Sequence, residues 1–167
     1  MERLVFKNKK SNFYLIADAY NGKYIKQCTI DFLKSCSGQI KDRININGII
    51  VGIYGNSKLV SYIGHDGLMD FKLSESFQNT SNTNRDAIIL ACISKKYYSP
   101  YLTLAKANPL LWTTGLMCPE AYTLHDALES YINNDPAETI RTNAAKAYSK
   151  FQKCSQKAAK NLLVTGW

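Results

Sequence analysis

Hydrophobic positions along this chain fall into short blocks whose spacing alternates between the periods of strand and helix. Asn12 to Tyr20 (NFYLIADAY) is rich in strand formers and ends at an Asn21-Gly22 turn. From Lys23 to Ser37, Ile25, Cys28, Thr29, Phe32, Leu33 and Cys36 recur at helical spacing, and Gly38 supplies the stop. Ile44 and Ile46 then alternate with polar residues up to Asn47-Gly48, and Ile49-Ile50-Val51 follows. That pattern predicts a hairpin, because Asn-Gly accepts the positive φ of a type I′ turn.

Two apolar runs come next. Lys58 to Gly64 (KLVSYIG) leads into His65, and Asp86 to Ala91 (DAIILA) leads into Cys92. The second is nearly all apolar, as expected of a strand buried on both faces of a parallel sheet. Between them Ser74 to Arg85 (SESFQNTSNTNR) reads as a mobile surface loop. A further strand is predicted at Pro109 to Thr113, and a helix from Pro119 through Tyr131. The last helix has an N-cap signature, with Asp135 as cap, Pro136 at N1 and Glu138 at N3, and it should run to about Lys160. Strands alternating with helices predict an α/β three-layer sandwich with a mostly parallel sheet and a small β-hairpin.

Composition narrows the picture. A chain of 167 residues, 46% hydrophobic and 20% charged, is expected to form one domain spanning residues 1–167. It contains no apolar run long enough to span a bilayer, and the N-terminus (MERLVFK) lacks the apolar core of a signal peptide. A soluble, cytoplasmic protein is the default expectation. Five cysteines, none at CxxC spacing, argue against a zinc site and against a disulfide framework, and no metal or cofactor is expected. The net charge of +8 favours anionic partners or surfaces.

His65 and Cys92 each sit just past the carboxyl end of a predicted strand, where open α/β sheets gather their functional groups. The separation of 27 positions from His65 to Cys92 allows a crossover that returns the chain parallel. A thiol beside an imidazole is the pairing that nucleophilic attack on a carbonyl needs. Gly64 and Gly67 leave backbone accessible around the histidine, which suits an oxyanion site. The plainer reading is a small core cysteine and a turn histidine.

The segments SYIGHDG and IILAC resemble the caspase-like cysteine peptidases, the clan of caspases, metacaspases, legumains, separases and gingipains. The order, His before Cys, also fits. The helix AYTLHDAL resembles the one after the substrate-binding strand in bacterial members, and YIGHDGLMDF, AIILACISKKYYSPYL and NPLLWTTGLMCPEAYTLHDAL look like a bacterial group. The resemblance runs from about Asn12 to Tyr131. It implies a caspase-like domain lacking an N-terminal strand, with Cys92 as nucleophile, His65 as general base and the backbone at Asp66 and Gly67 as oxyanion donors. The clan usually has Gly directly after the histidine; here Asp66 intervenes. Trp112, Thr113 and Thr114 would line the substrate strand. Asp18 would face a basic substrate side chain, against its ordinary reading as a strand-end residue near a turn.

His125 falls on the predicted helix four residues before Glu129, a common surface pairing. Lys146, Lys150, Lys153, Lys157 and Lys160 would form one basic face of the last helix, opposite Ala144, Tyr148, Phe151, Ser155, Ala158 and Leu162. That face is either simply solvated or a weak polyanion contact. Two functional readings result. One is a cysteine endopeptidase that cleaves a peptide or protein substrate through an acyl-enzyme. The other is a catalytically silent caspase-like scaffold that binds an anionic partner through its basic C-terminal helix.

Overall fold

The computed structural model describes residues Met1 to Trp167. Strands β1 (Glu2–Lys7) and β2 (Tyr14–Ala19) form an antiparallel hairpin, pairing Glu2 with Ala19 and Lys7 with Tyr14. Helix α1 (Ile25–Ser37) follows a 3-10 turn and stops at Gly38, whose φ of 74° is the left-handed conformation glycine adopts without a Cβ penalty. Strands β3 (Lys41–Ile46) and β4 (Ile49–Tyr54) form the second hairpin, with Asn47 and Gly48 at φ 50° and 86° as a type I′ turn requires.

The central sheet starts with β5 (Leu59–Ile63), which pairs parallel with β6 (Asp86–Leu90). Helix α2 (Ser94–Ala105) then returns the chain to β7 (Asn108–Thr113), parallel to β6. Helices α3 (Ala121–Ile132), α4 (Ala137–Gln152) and α5 (Gln156–Leu162) lead to β8 (Leu163–Val164), which closes the far edge antiparallel to β7. The architecture is α/β with a mixed sheet in the order β5-β6-β7-β8 and two separate hairpins. Strand β6 shows why its sequence is so apolar. Ala87 and Ile89 pack with α1 and α2 on one face, Ile88 and Leu90 with α3 and α4 on the other, and all four are fully buried. No helix is long and apolar enough to cross a membrane.

Three expectations need correction. The segment Ser74 to Arg85 is irregular but pinned. Phe77 is fully buried against Tyr101, the Asn79 side chain donates to the Ala105 carbonyl at 2.9 Å, and Thr80 N–H donates to the Ser37 carbonyl. The buried Phe77 was hidden among Ser, Asn and Thr. The last helix starts later, since Asp135 makes no capping bond and Pro136 itself is the cap residue with ψ 150°. It also breaks: Lys153 turns left-handed and Ser155 caps a separate α5. Phe151 is already exposed within α4, and beyond the break the register shifts, so Ala159 is buried while Ala158 is exposed. The lysines therefore do not share one helical face, and Lys160 pairs with Glu138 at 3.5 Å.

Arg85 joins the pieces. Its buried guanidinium donates to the carbonyls of Gly55, Cys36 and Thr83 and to the Ser81 hydroxyl. Replacing it with Met removes a buried charge but leaves carbonyls without donors, and the second effect dominates. Arg85→Met is expected to lower unfolding free energy by about 2–4 kcal/mol, read as a lower urea midpoint with an unchanged m-value.

Candidate active site

The constant offset of β5 against β6 decides where the two candidate residues stand. Leu59 pairs with Asp86 and Ile63 with Leu90, and Gly64 N–H still donates to the Leu90 carbonyl at 3.2 Å. His65 and Cys92 continue that offset just beyond the strand ends, on neighbouring strands about 4.8 Å apart.

Cys92 occupies a sharp strand-to-helix elbow. The next residue, Ile93, holds φ 50° and ψ 31° at the start of α2. A β-branched residue there is a genuine outlier, costing about 1–3 kcal/mol, and persists only where surroundings over-determine it. They do. The buried Thr113 hydroxyl bonds the Ala91 carbonyl and receives Ser94 N–H at 3.1 Å. The Ser94 hydroxyl donates to the Ile89 carbonyl at 3.0 Å and accepts Thr113 N–H at 3.0 Å. Ile93 N–H donates to the Gly115 carbonyl at 2.8 Å. The Cys92 thiol, half-buried, sits against the backbone of Met117, accepting from its N–H at 3.4 Å and donating to its carbonyl at 3.5 Å.

His65 is exposed, and its Nε2 lies 2.6 Å from Asp70 Oδ2. An ionised carboxylate only accepts, so this bond calls for a proton on Nε2. The Tyr62 hydroxyl donates to the His65 carbonyl at 2.7 Å and fixes the backbone from below. No hydrogen bond joins His65 to Cys92; each has another partner, Asp70 for the imidazole and the Met117 backbone for the thiol.

The other candidates have varied surroundings. Asp66 is fully buried; its Oδ1 accepts Leu68 N–H at 3.0 Å, and its Oδ2 has no partner. Burial pushes its carboxyl up to about 6, against smaller opposing effects of the Leu68 bond and the His65 charge. Gly67 is needed for packing, because a Cβ there would lie 2.6 Å from the Phe71 ring. Asp18 is held by Arg3 at 2.6 and 2.8 Å and by the Tyr54 hydroxyl at 3.1 Å, and its carboxyl lies below the usual range because of Arg3. Trp112 is fully buried, with its indole N–H donating to the Gly166 carbonyl at 3.0 Å. Thr113 serves the elbow. Thr114 is exposed and holds the Asn161 carbonyl at 2.8 Å.

Sequence reasoning missed Asp70, Ser94 and helix α2 as a whole. Asp70 carried a signal, an acidic residue one short turn after the histidine. Helix α2 was masked by Pro100 inside it and by the absence of a capping side chain. His125, Asp126 and Glu129 place ligand atoms within 4.8 Å of one another. His125 and Glu129 are exposed and Asp126 half-buried, His125 is already engaged by Asp126 at 2.9 Å, and Lys146 and Lys150 line the same hollow as His125 and Asp126, which opposes a cation. Asp126 holds the His125 imidazole above its ordinary value.

No family model matches this chain, and neither the curated proteins nor the solved structures include a match.

Asp66 gives the loop a pH signature. Its folded-state value, about 6, lies above the unfolded carboxyl value near 3.8. Between those values the folded state binds more protons than the unfolded state, so stability falls as pH rises and stays lower above pH ~6. Asp66→Asn keeps the shape and the acceptor for Leu68 N–H. It is expected to raise stability at pH 8 by about 1–2 kcal/mol while changing it little at pH 3.5, measured by urea unfolding at both values.

Proposed function

We propose that the protein is a cysteine hydrolase, an endopeptidase in which Cys92 is the nucleophile, His65 the general base and Asp70 the group that orients His65. The observation that carries this reading is the left-handed Ile93 immediately after Cys92, at a strand-to-helix elbow locked by Ser94 and Thr113. Strained backbone of this kind concentrates at functional sites, and a strand-end elbow is where an α/β sheet presents a nucleophile.

In the proposed reaction Cys92 Sγ bonds to the scissile carbonyl carbon as His65 Nδ1 takes the thiol proton. The carbonyl oxygen becomes an oxyanion. The N–H groups of Asp66 and Gly67, which donate to nothing within the chain, are the proposed donors to it; both residues are buried, so the His65 loop has to shift on substrate binding to present them. The C–N bond breaks and the amine leaves with the proton carried by His65. Water, deprotonated by His65, then attacks the thioester, releasing the acid and restoring the thiol. Asp70 stabilises the imidazolium through Nε2–H. Trp112 and Thr113 shape the site from beneath, and exposed Thr114 is the member of that strand end free to meet substrate. The kinship with caspase-like peptidases belongs to this same reading and rests on the SYIGHDG and IILAC segments.

Cys92→Ala is expected to keep the fold, since alanine fits the elbow, and to abolish hydrolysis of a fluorogenic peptide library. Full activity in that variant would sink the mechanism. Asp70→Asn should lower kcat by about tenfold or more with KM nearly unchanged, because the pair acts on the base and not on substrate binding. Selective alkylation of Cys92 by iodoacetamide, suppressed in His65→Ala, is the corresponding result in the absence of any known substrate. Uniform slow labelling of the exposed cysteines would favour a scaffold that does no chemistry.

A further inference from the structure

A mostly apolar cavity of about 300 Å³ lies away from the Cys92 elbow, between β2 and β5. That volume is at the lower end of ligand pockets, which run about 300–1,000 Å³. Its floor and roof belong to opposite faces of the sheet: Cys28, Asp31 and Phe32 come from α1, and Leu124 and Leu128 from α3. The cavity is therefore a slot in the plane of the sheet, along the open edge of β5.

Two walls of the slot are unpaired strand edges, and Val51 to Tyr54 of β4 line a further side. Lys58 carbonyl and Gly64 N–H bond to β6, so the even-numbered residues of β5 face β6. By alternation the N–H and C=O groups of Leu59, Ser61 and Ile63 point into the slot. On the other wall Asn8 N–H bonds the Phe13 carbonyl, so odd-numbered residues of β2 face β1. The main-chain groups of Tyr14, Ile16 and Asp18 then point away from β1, and no backbone bond links β2 to β5. Strand β2 is held in place by other means: Phe13 packs edge-on to Tyr131 of α3, and the Tyr20 hydroxyl donates to Asp31 of α1 at 2.8 Å.

The lining is mostly apolar, and its only charged side chains are Asp18 and Asp31. In a chain of net charge +8 that is a local reversal. Arg3 neutralises Asp18, but Asp31 receives only the neutral donors Tyr20 and Gln27. The burial of Cys28 together with the charge of Asp31 pushes its thiol up to about 11, so no thiolate competes there.

We propose that this slot is a strand-addition site. It takes an extended peptide segment whose main chain bonds the open edges of β2 and β5, whose apolar side chains pack toward α1 and α3, and which places one basic side chain beside Asp31. Unpaired edges are templates for an added strand, and main-chain bonding of this kind gives affinity while alternate side chains give specificity. The site uses neither Cys92 nor His65, so it stands apart from the hydrolase reading.

The probe is a capped hexapeptide, acetyl-Thr-Val-Lys-Val-Thr-Val-amide, titrated into the intact protein while amide hydrogen exchange is followed by NMR. In the free protein the amides of Leu59, Ser61, Ile63, Tyr14, Ile16 and Asp18 should exchange rapidly, and saturating peptide should slow them by about tenfold or more. Replacing the peptide lysine by norleucine should weaken binding by about fivefold, and Asp31→Asn should erase that difference. A peptide methylated on alternate backbone nitrogens should not bind, and Cys92→Ala should bind normally. Protection of the same amides in the free protein would show β2 docked directly on β5 and would overturn the proposal. No binding at millimolar peptide would overturn it as well, and so would binding that leaves those amides unprotected.

Discussion

A buried guanidinium without a carboxylate is the constraint on which the rest of this structure depends. Arg85 is 3% exposed, and every partner it has is a carbonyl or a hydroxyl. Burial lowers its affinity for the proton, yet an arginine stays charged, so the charge must be met by dipoles. The carbonyl of Cys36, in the last turn of α1, lies at the negative end of that helix. The Gly55 carbonyl comes from the end of the second hairpin and the Thr83 carbonyl from the crossover. The close approach requires glycines. A Cβ on Gly38 would lie 2.9 Å from Ser81 Oγ and 3.0 Å from Arg85 Nη2, and one on Gly55 would lie 2.6 Å from the Ile40 carbonyl oxygen.

That knot sits directly before β6, and its consequence is register. Arg85 fixes where the strand begins, the ladder to β5 then runs at a constant offset, and the two strand ends fall level. The placement of His65 and Cys92 is thus set at the opposite end of the sheet from the residues themselves. Displacing the start of β6 by one residue would turn every side chain of a doubly buried strand to the wrong face, which the sheet cannot tolerate.

Much of this was legible in the sequence. The apolar runs before His65 and Cys92, the Asn47-Gly48 turn and the Gly38 stop each reflect a local rule, and the structure obeys them. What was not legible depends on partners distant in sequence. Phe77 looked like one aromatic in a polar loop, but its pocket is formed by Tyr101. The break at Lys153 has no glycine to announce it; Ser149, whose hydroxyl donates to the Cys154 carbonyl at 2.6 Å, stabilises a turn that periodicity alone would run through. The elbow at Ile93 runs against local preference, and only Thr113, on another strand, makes it tenable.

The cost of the candidate site is concentrated in a few atoms. Four buried side-chain atoms lack hydrogen-bond partners, and two of them, Asp66 Oδ2 and the Tyr98 hydroxyl, lie beneath the His65 loop. The floor there is a cluster of Phe32, Tyr62 and Tyr98 with ring centroids 5.6–5.8 Å apart, which satisfies packing but offers few polar partners. On the neighbouring strand end stands the left-handed Ile93. The other two unpartnered atoms, Ser11 Oγ and Thr123 Oγ1, are hydroxyl oxygens away from that loop, so Asp66 is the one carboxylate left with an unpartnered buried oxygen. A core that could have been relaxed by apolar residues at 66 and 98 instead keeps an acid and a phenol under the histidine and strain beside the cysteine. An unpartnered buried acid and a left-handed β-branched residue at neighbouring strand ends both cost stability, and it is the packing and hydrogen bonds around them that hold them in place.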